Sequence, residues 1–189
     1  MTRELGTAAV RASAKPPAGG RKLPQRRSST TVTVDVVVNS TLWQAAPQAE
    51  KIVGRAIAEA AAAVSRATGE LAIMLTDDSA IRTLNREWRK KDAATNVLSF
   101  PMPAPPVGGA AMLLGDIVIA YETTAREAET ENKPFGDHLA HLAVHGFLHL
   151  VGYDHEIDQE ADAMESLEAE ILSRLGVPNP YETRVTSQP

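Results

Sequence analysis

The sequence predicts an α+β domain in which a small mixed sheet of four strands is covered by helices. Two observations carry this. Strand-like runs rich in β-branched residues fall in the first two thirds of the chain, and the last third reads as helix throughout. The third helix of that last part, counting back from the end, is followed by an apolar helix that holds four of the five histidines. Apolar residues make up 43% of the 189 residues, enough for one domain with a proper core.

Taken in order, residues 1–30 are rich in Ala, Pro, Gly, Ser and Arg and show no steady period, so a disordered basic tail is expected. It lacks the apolar centre of a secretory signal. A solvated extension suits it better than an organelle transit peptide. A single domain is expected over 31–182, with a flexible tail over 183–189. Residues 31–38 alternate and are β-branched, which predicts a first strand. Pro47 to Thr68 reads as a long Ala-rich helix ended by Gly69. Glu70 to Thr76 is the second strand. Asp77 or Asp78 caps a helix running to about Arg89.

Asn96 to Phe100 is a short third strand, and the Pro/Gly/Ala-rich stretch to about Met112 is a mobile loop. Leu114 to Tyr121 is the fourth strand. Three helices follow: a polar one over Thr123–Asn132, an apolar one over Gly136–Val151, and an amphipathic one over Gln159–Leu175. The last has Ala163, Leu167, Glu170 and Ile171 near helical spacing, Asp158 as its cap, and Gly176 and Pro178 as its stop.

Composition narrows the chemistry. There are no cysteines, so disulfides and thiolate metal sites are excluded, and a reducing cytoplasmic setting is expected. No run approaches the roughly 18 apolar residues of a membrane span. Residues 1–30 carry seven Lys/Arg and one acidic residue, leaving twelve basic and twenty-three acidic residues, a balance of −11, for the remainder. Any nucleic-acid contact of the folded part must therefore use a local basic patch.

All five histidines lie between His138 and His155. His141, His145 and His149 stand at i, i+4 and i+8, and span about 12 Å of helix axis. A Zn–N bond is about 2 Å, so one straight helix cannot bring all three to one ion. A two-plus-one arrangement is required. His145 and His149 with His155 satisfy it, because Gly152 can take the left-handed conformation that turns the chain back. His141 and His145 with a distant third donor is the weaker alternative. Three imidazoles with an open fourth position describe a catalytic zinc site.

The same spacing occurs in metzincin proteases, H-E-x-x-H-x-x-G-x-x-H, except that the general-base glutamate is Gly146 here. That counts against peptide hydrolysis and leaves intact a water acidified by the ion. For His138 and His141 an ordinary structural role is expected, with His141 a candidate to lie beside the ligands or contact substrate.

Arg82, Arg86 and Arg89 fall at i, i+4 and i+7 on one helical face, and Ile81, Leu84 and Trp88 on another. The apolar set, Trp88 included, is expected in the core. Arg82 and Arg86 read as a solvated face. Arg89, at the helix end, is placed to clamp a phosphate in two-pronged fashion.

These pieces together resemble the YbeY family of single-domain, metal-dependent endoribonucleases of ribosomal RNA maturation. The resembling residues are His145-Gly146, Leu148-His149-Leu150 and Gly152-Tyr153-Asp154-His155, then Leu84-Asn85, Trp88-Arg89 and Lys91-Asp92, then Thr95 to Pro101, and Leu114 to Ile117. The similarity runs from about Val32 to Tyr181. It departs at Asn96, where many members have Asp, and at Trp88, where many have Tyr.

The resemblance implies one zinc ion on His145, His149 and His155 and a functionally important Arg89. It implies cleavage of single-stranded RNA in processing of the small-subunit rRNA 3′ end and in ribosome quality control. Ribosomal RNA and ribosome-assembly factors are the implied partners, with neither DNA nor membrane expected. Asp154 is a candidate to orient a ligand histidine. The rival readings are a zincin-type metalloprotease and a non-catalytic RNA-binding factor of ribosome assembly.

Overall fold

The computed structural model describes residues 32–64, 68–103, 112–153 and 158–182. Both expected tails, most of the expected loop after Pro101, and Asp154 and His155 lie outside the described residues. Four strands, β1 (Val32–Val38), β2 (Gly69–Thr76), β3 (Val97–Pro101) and β4 (Leu113–Ala120), form one sheet in the order β1-β2-β4-β3. β1 pairs parallel with β2 and β2 with β4, while β3 runs antiparallel to β4. The sheet is mixed and four-stranded, as the sequence predicts.

Alternation decides which side of the sheet each residue serves. Leu71, Ile73 and Leu75 of β2 and Ile117 and Ile119 of β4 face the main core. Helices α1 (Ala49–Ala63), α4 (Phe135–Leu150) and α5 (Asp158–Leu175) cover that face and contribute Ile57, Phe147, Leu148 and Leu172, all fully buried. The opposite face is only partly covered, by α2 (Asp78–Arg89). There Ile81 meets Leu98, Val118 and Ala120 in a small separate cluster.

The polar helix α3 (Tyr121–Thr130) has no side-chain cap of its own. Asp78 of α2 supplies one, with Oδ1 accepting from the Thr123 N–H and hydroxyl at 3.1 and 2.7 Å. Glu122 returns the favour by accepting from Asp78 N–H at 2.9 Å. Two helix starts thus satisfy each other's orphan donors.

The structure corrects four readings. The Ala-rich helix begins at Ala49, after a short 3-10 turn at Thr41–Ala45, and ends at Ala63 because Val64 is already extended; Gly69 opens β2 instead of closing the helix. Tyr121 starts α3 and does not end β4. The buried side of α5 carries Met164, Glu168, Ile171 and Leu172, while Ala163 and Glu170 are exposed. Trp88 is not in the core: it is 69% exposed and meets Phe100 edge-on at 5.7 Å. Among the described residues nothing covers that end of α2, since the core helices are all on the other face. Asp77 caps α2 as expected, accepting from Ala80 N–H at 2.9 Å.

Candidate metal centre and its surroundings

From His138 to its end, helix α4 is buried at every position except His141, His145 and His149, which are half-buried along one stripe. The helix can lie this close to the sheet because of Gly146. A Cβ there would stand 3.0 Å from an Ile117 methyl and 3.1 Å from Ser99 Oγ. The Ser99 hydroxyl donates to the Gly146 carbonyl at 3.1 Å across the same contact. Position 146, where the proteases carry their glutamate, therefore faces the sheet and has no room for one.

The helix ends as the glycine predicts. Gly152 has φ +93, and Tyr153 N–H donates back to Leu148 O at 3.0 Å, the reversal that satisfies last-turn carbonyls. This turn also sets a ring. The His149 Nδ1–H donates to the Tyr153 carbonyl at 3.0 Å, and since a carbonyl only accepts, the proton must sit on Nδ1. One turn earlier, His145 Nδ1–H donates to Glu168 Oε1 at 2.9 Å. The Nε2 atoms of the two histidines are then the inward pair, 3.1 Å apart. Tetrahedral zinc holds two imidazole nitrogens about 3.3 Å apart. Two neutral rings with Nδ1 protonated direct both Nε2 lone pairs at one place, and a cation suits that place. The donor set fits a metal ion.

Glu168 was missed by sequence reasoning. It is fully buried, and both its oxygens are used. Oε1 takes His145, and Oε2 accepts from His141 Nε2–H at 2.9 Å and from the Tyr181 hydroxyl. Burial pushes its carboxyl up, but the hydrogen bonds from His141, His145 and Tyr181 together outweigh it, lowering the pKa to about 2. Burial, followed by the hydrogen bond to this carboxylate, pushes Tyr181 up. The signal was available: a glutamate stands in the apolar stripe between Met164 and Leu172, at i+4 and i−4. A charge at such a position demands partners.

The expected site residues thus divide. His145 and His149 come together, and His141 lies beside them on Glu168. His155 and Asp154 are outside the described residues, among which no three metal-binding side chains are grouped to hold an ion. His138 is buried and donates Nε2–H to Glu127 Oε2 at 2.9 Å; Asn96 joins the same oxygen through Nδ2, also at 2.9 Å. That tie links the residue before β3 with α3 and α4 and is structural. His138, His141 and His145 line a cavity of about 440 Å³ together with Glu165, Glu168 and Tyr181.

Arg89 lies elsewhere. It borders a groove of about 760 Å³ on the incompletely covered face of the sheet, with Trp88, Phe100, Met74 and Asp116. Ser99 is the link between the two places, since it lines this groove and bonds to Gly146, beside His145. Arg82 pairs with Asp92 at 2.8 Å and Arg86 approaches it at 3.8 Å, both well exposed.

The family described as Endoribonuclease YbeY matches residues 38–176. The chain belongs to that family. An Endoribonuclease YbeY of Bradyrhizobium sp. (strain BTAi1) is 56% identical over 158 residues, covering 80% of this chain and 94% of the relative. One of Rhodopseudomonas palustris (strain BisB18) is 60% identical over 153 residues, covering 78% and 90%. A solution structure from Thermotoga maritima is 22% identical with a TM-score of 0.44, covering 83% of this chain and all of that one. No helix among the described residues is long and apolar enough to cross a membrane.

Proposed function

We propose that this chain is a zinc-dependent endoribonuclease that cleaves single-stranded ribosomal RNA, with His145, His149 and His155 holding one ion. The observation that carries the reading is the 3.1 Å pair of inward Nε2 atoms, each fixed by a proton acceptor behind its ring. When bound, zinc supplies a water acidified toward neutral pH and a positive charge for the phosphodiester oxygen. His145 and His149 serve as neutral donors, their Nδ1 protons held by Glu168 and the Tyr153 carbonyl. Asp154 belongs to the segment leading to His155 and is assigned to orient a ligand ring.

Arg89 binds a phosphate of the RNA at a distance from the histidines, across the β3 edge. An extended polynucleotide suits two separated places, one beside the α4 histidines and one in the Arg89 groove, better than a small substrate does. Its charge-assisted hydrogen bonds hold the strand in register. The substrate assigned is the small-subunit rRNA 3′ end, with ribosome-assembly factors as partners and the cytoplasm as the setting. The protease reading is disfavoured because position 146 faces the sheet.

The test is RNA cleavage and metal content measured on the same preparations of wild type, His145→Ala and Arg89→Glu. Both variants should cleave poorly, and only His145→Ala should lose zinc. Undiminished cleavage by zinc-free protein would refute the mechanism.

A further inference from the structure

We propose that Glu168 is a positioning residue for the metal centre, and that Tyr181 and His141 hold its carboxylate in place. The proposal rests on the reading of His145 as a ligand. Its basis is a chain of contacts between three separate parts of the molecule. Glu168 is on α5 and fully buried, His145 and His141 are on α4, and Tyr181 follows α5 beyond the Gly176 turn.

A carboxylate only accepts, so His145 must carry its proton on Nδ1 to satisfy Oε1. That choice leaves Nε2 as the donor atom, directed at the neighbouring Nε2 of His149. Without the carboxylate, an imidazole prefers neither nitrogen strongly and its ring can turn. Oε2 is held by Tyr181 and His141, so the carboxylate itself cannot rotate away. The segment carrying Tyr181 is fixed in turn, because Val177 N–H donates to Leu172 O at 2.9 Å and Tyr181 N–H to Asn179 Oδ1 at 3.0 Å. His149 needs no such residue, since the helix-ending turn supplies its acceptor. The two ligands are therefore oriented by different means, one by local backbone and one by a distant helix.

Partners behind metal-bound histidines typically contribute about 10- to 100-fold in metal affinity. The full-length chain should be titrated with zinc against a chromophoric chelator as wild type, Glu168→Ala, Glu168→Gln and Tyr181→Phe. The imidazole N–H resonances should be read by nitrogen-15 NMR in the same samples. Glu168→Ala should weaken zinc binding about 10- to 100-fold and remove the hydrogen-bonded Nδ1–H signal of His145. Glu168→Gln keeps an accepting oxygen, so the His145 signal should remain, shifted, with a smaller loss of affinity. Tyr181→Phe should lose least, because His141 still holds Oε2. Zinc affinity within about twofold of wild type in both Glu168 variants would overturn the proposal. So would an unchanged His145 Nδ1–H signal in Glu168→Ala. If Glu168→Ala does not fold, Glu168→Gln and Tyr181→Phe decide the matter by the same two readings. If His145→Ala binds zinc as wild type does, the ligand reading has failed instead, and the His145 proton signal in wild type and the Glu168 variants still reports on Glu168.

Discussion

Two helices of this protein carry a stripe of cationic or basic side chains at nearly the same spacing, and the fold treats them in opposite ways. On α4 the stripe is His141, His145 and His149; on α2 it is Arg82, Arg86 and Arg89. The histidines are half-buried, and two of them, His141 and His145, meet a fully buried carboxylate, Glu168, on a second helix. The arginines are exposed, and the acid that meets two of them, Asp92, has a side chain 52% exposed itself. Spacing sets which side chains share a face; what packs opposite decides whether that face becomes a site. Water screens the arginine pairs and leaves them free to bind something else. The histidine contacts are protected from water and fix particular protons.

The largest expected effect is at the histidine stripe. His149→Ala should lose bound zinc and slow RNA cleavage by more than about 100-fold, beyond what loss of an outer partner costs. Elemental analysis beside a cleavage assay checks it, and an active zinc-free variant would end the contrast between the stripes. Next, Gly146→Glu should destabilise the fold by at least roughly 1–3 kcal/mol by overpacking, in urea unfolding, and gain no peptidase activity. Wild-type stability would mean that α4 does not depend on close approach to Ile117.

Arg89→Glu should raise the KM for RNA about tenfold, the worth of one charge-assisted hydrogen bond, with zinc content unchanged. A fall in zinc content would tie Arg89 to the metal centre after all. Acid offers a fourth test. Glu168 has its pKa lowered to about 2 from an ordinary 4.5, so its ionised form stabilises the fold above about pH 4.5. That contribution is lost as the pH falls toward about 2. The stability gap between wild type and Glu168→Gln should accordingly narrow as urea unfolding is moved from neutral pH into acid. The smallest effect belongs to the arginine stripe: Asp92→Asn should leave the thermal midpoint unchanged within error, because the pairs it removes are well exposed to water.

The four strands and the histidine helix were legible from local composition, the strands as short apolar and β-branched runs and the helix as one long apolar run. β1 alternates over Val32–Val36, and Gly152 marks the end of α4 as glycine usually does. What was not legible depends on packing between distant segments. Trp88 shares the apolar face of α2, but whether that face is covered depends on where α1, α4 and α5 lie, and they lie on the other side of the sheet. Glu168 stands 23 residues from His145 in sequence, and only the folded position of α5 joins them. The absence of a glutamate at position 146 was readable, while its cause, contact with Ile117 and Ser99, was not. The family resemblance was carried by local motifs, and the match over residues 38–176 agrees with it.

The most direct test of a single catalytic ion on the α4 histidines is the rate of RNA cleavage by metal-stripped protein as zinc is restored in steps. The rate should rise in proportion to bound zinc and level off at one ion per chain. Cleavage by the stripped protein at the full rate would contradict it.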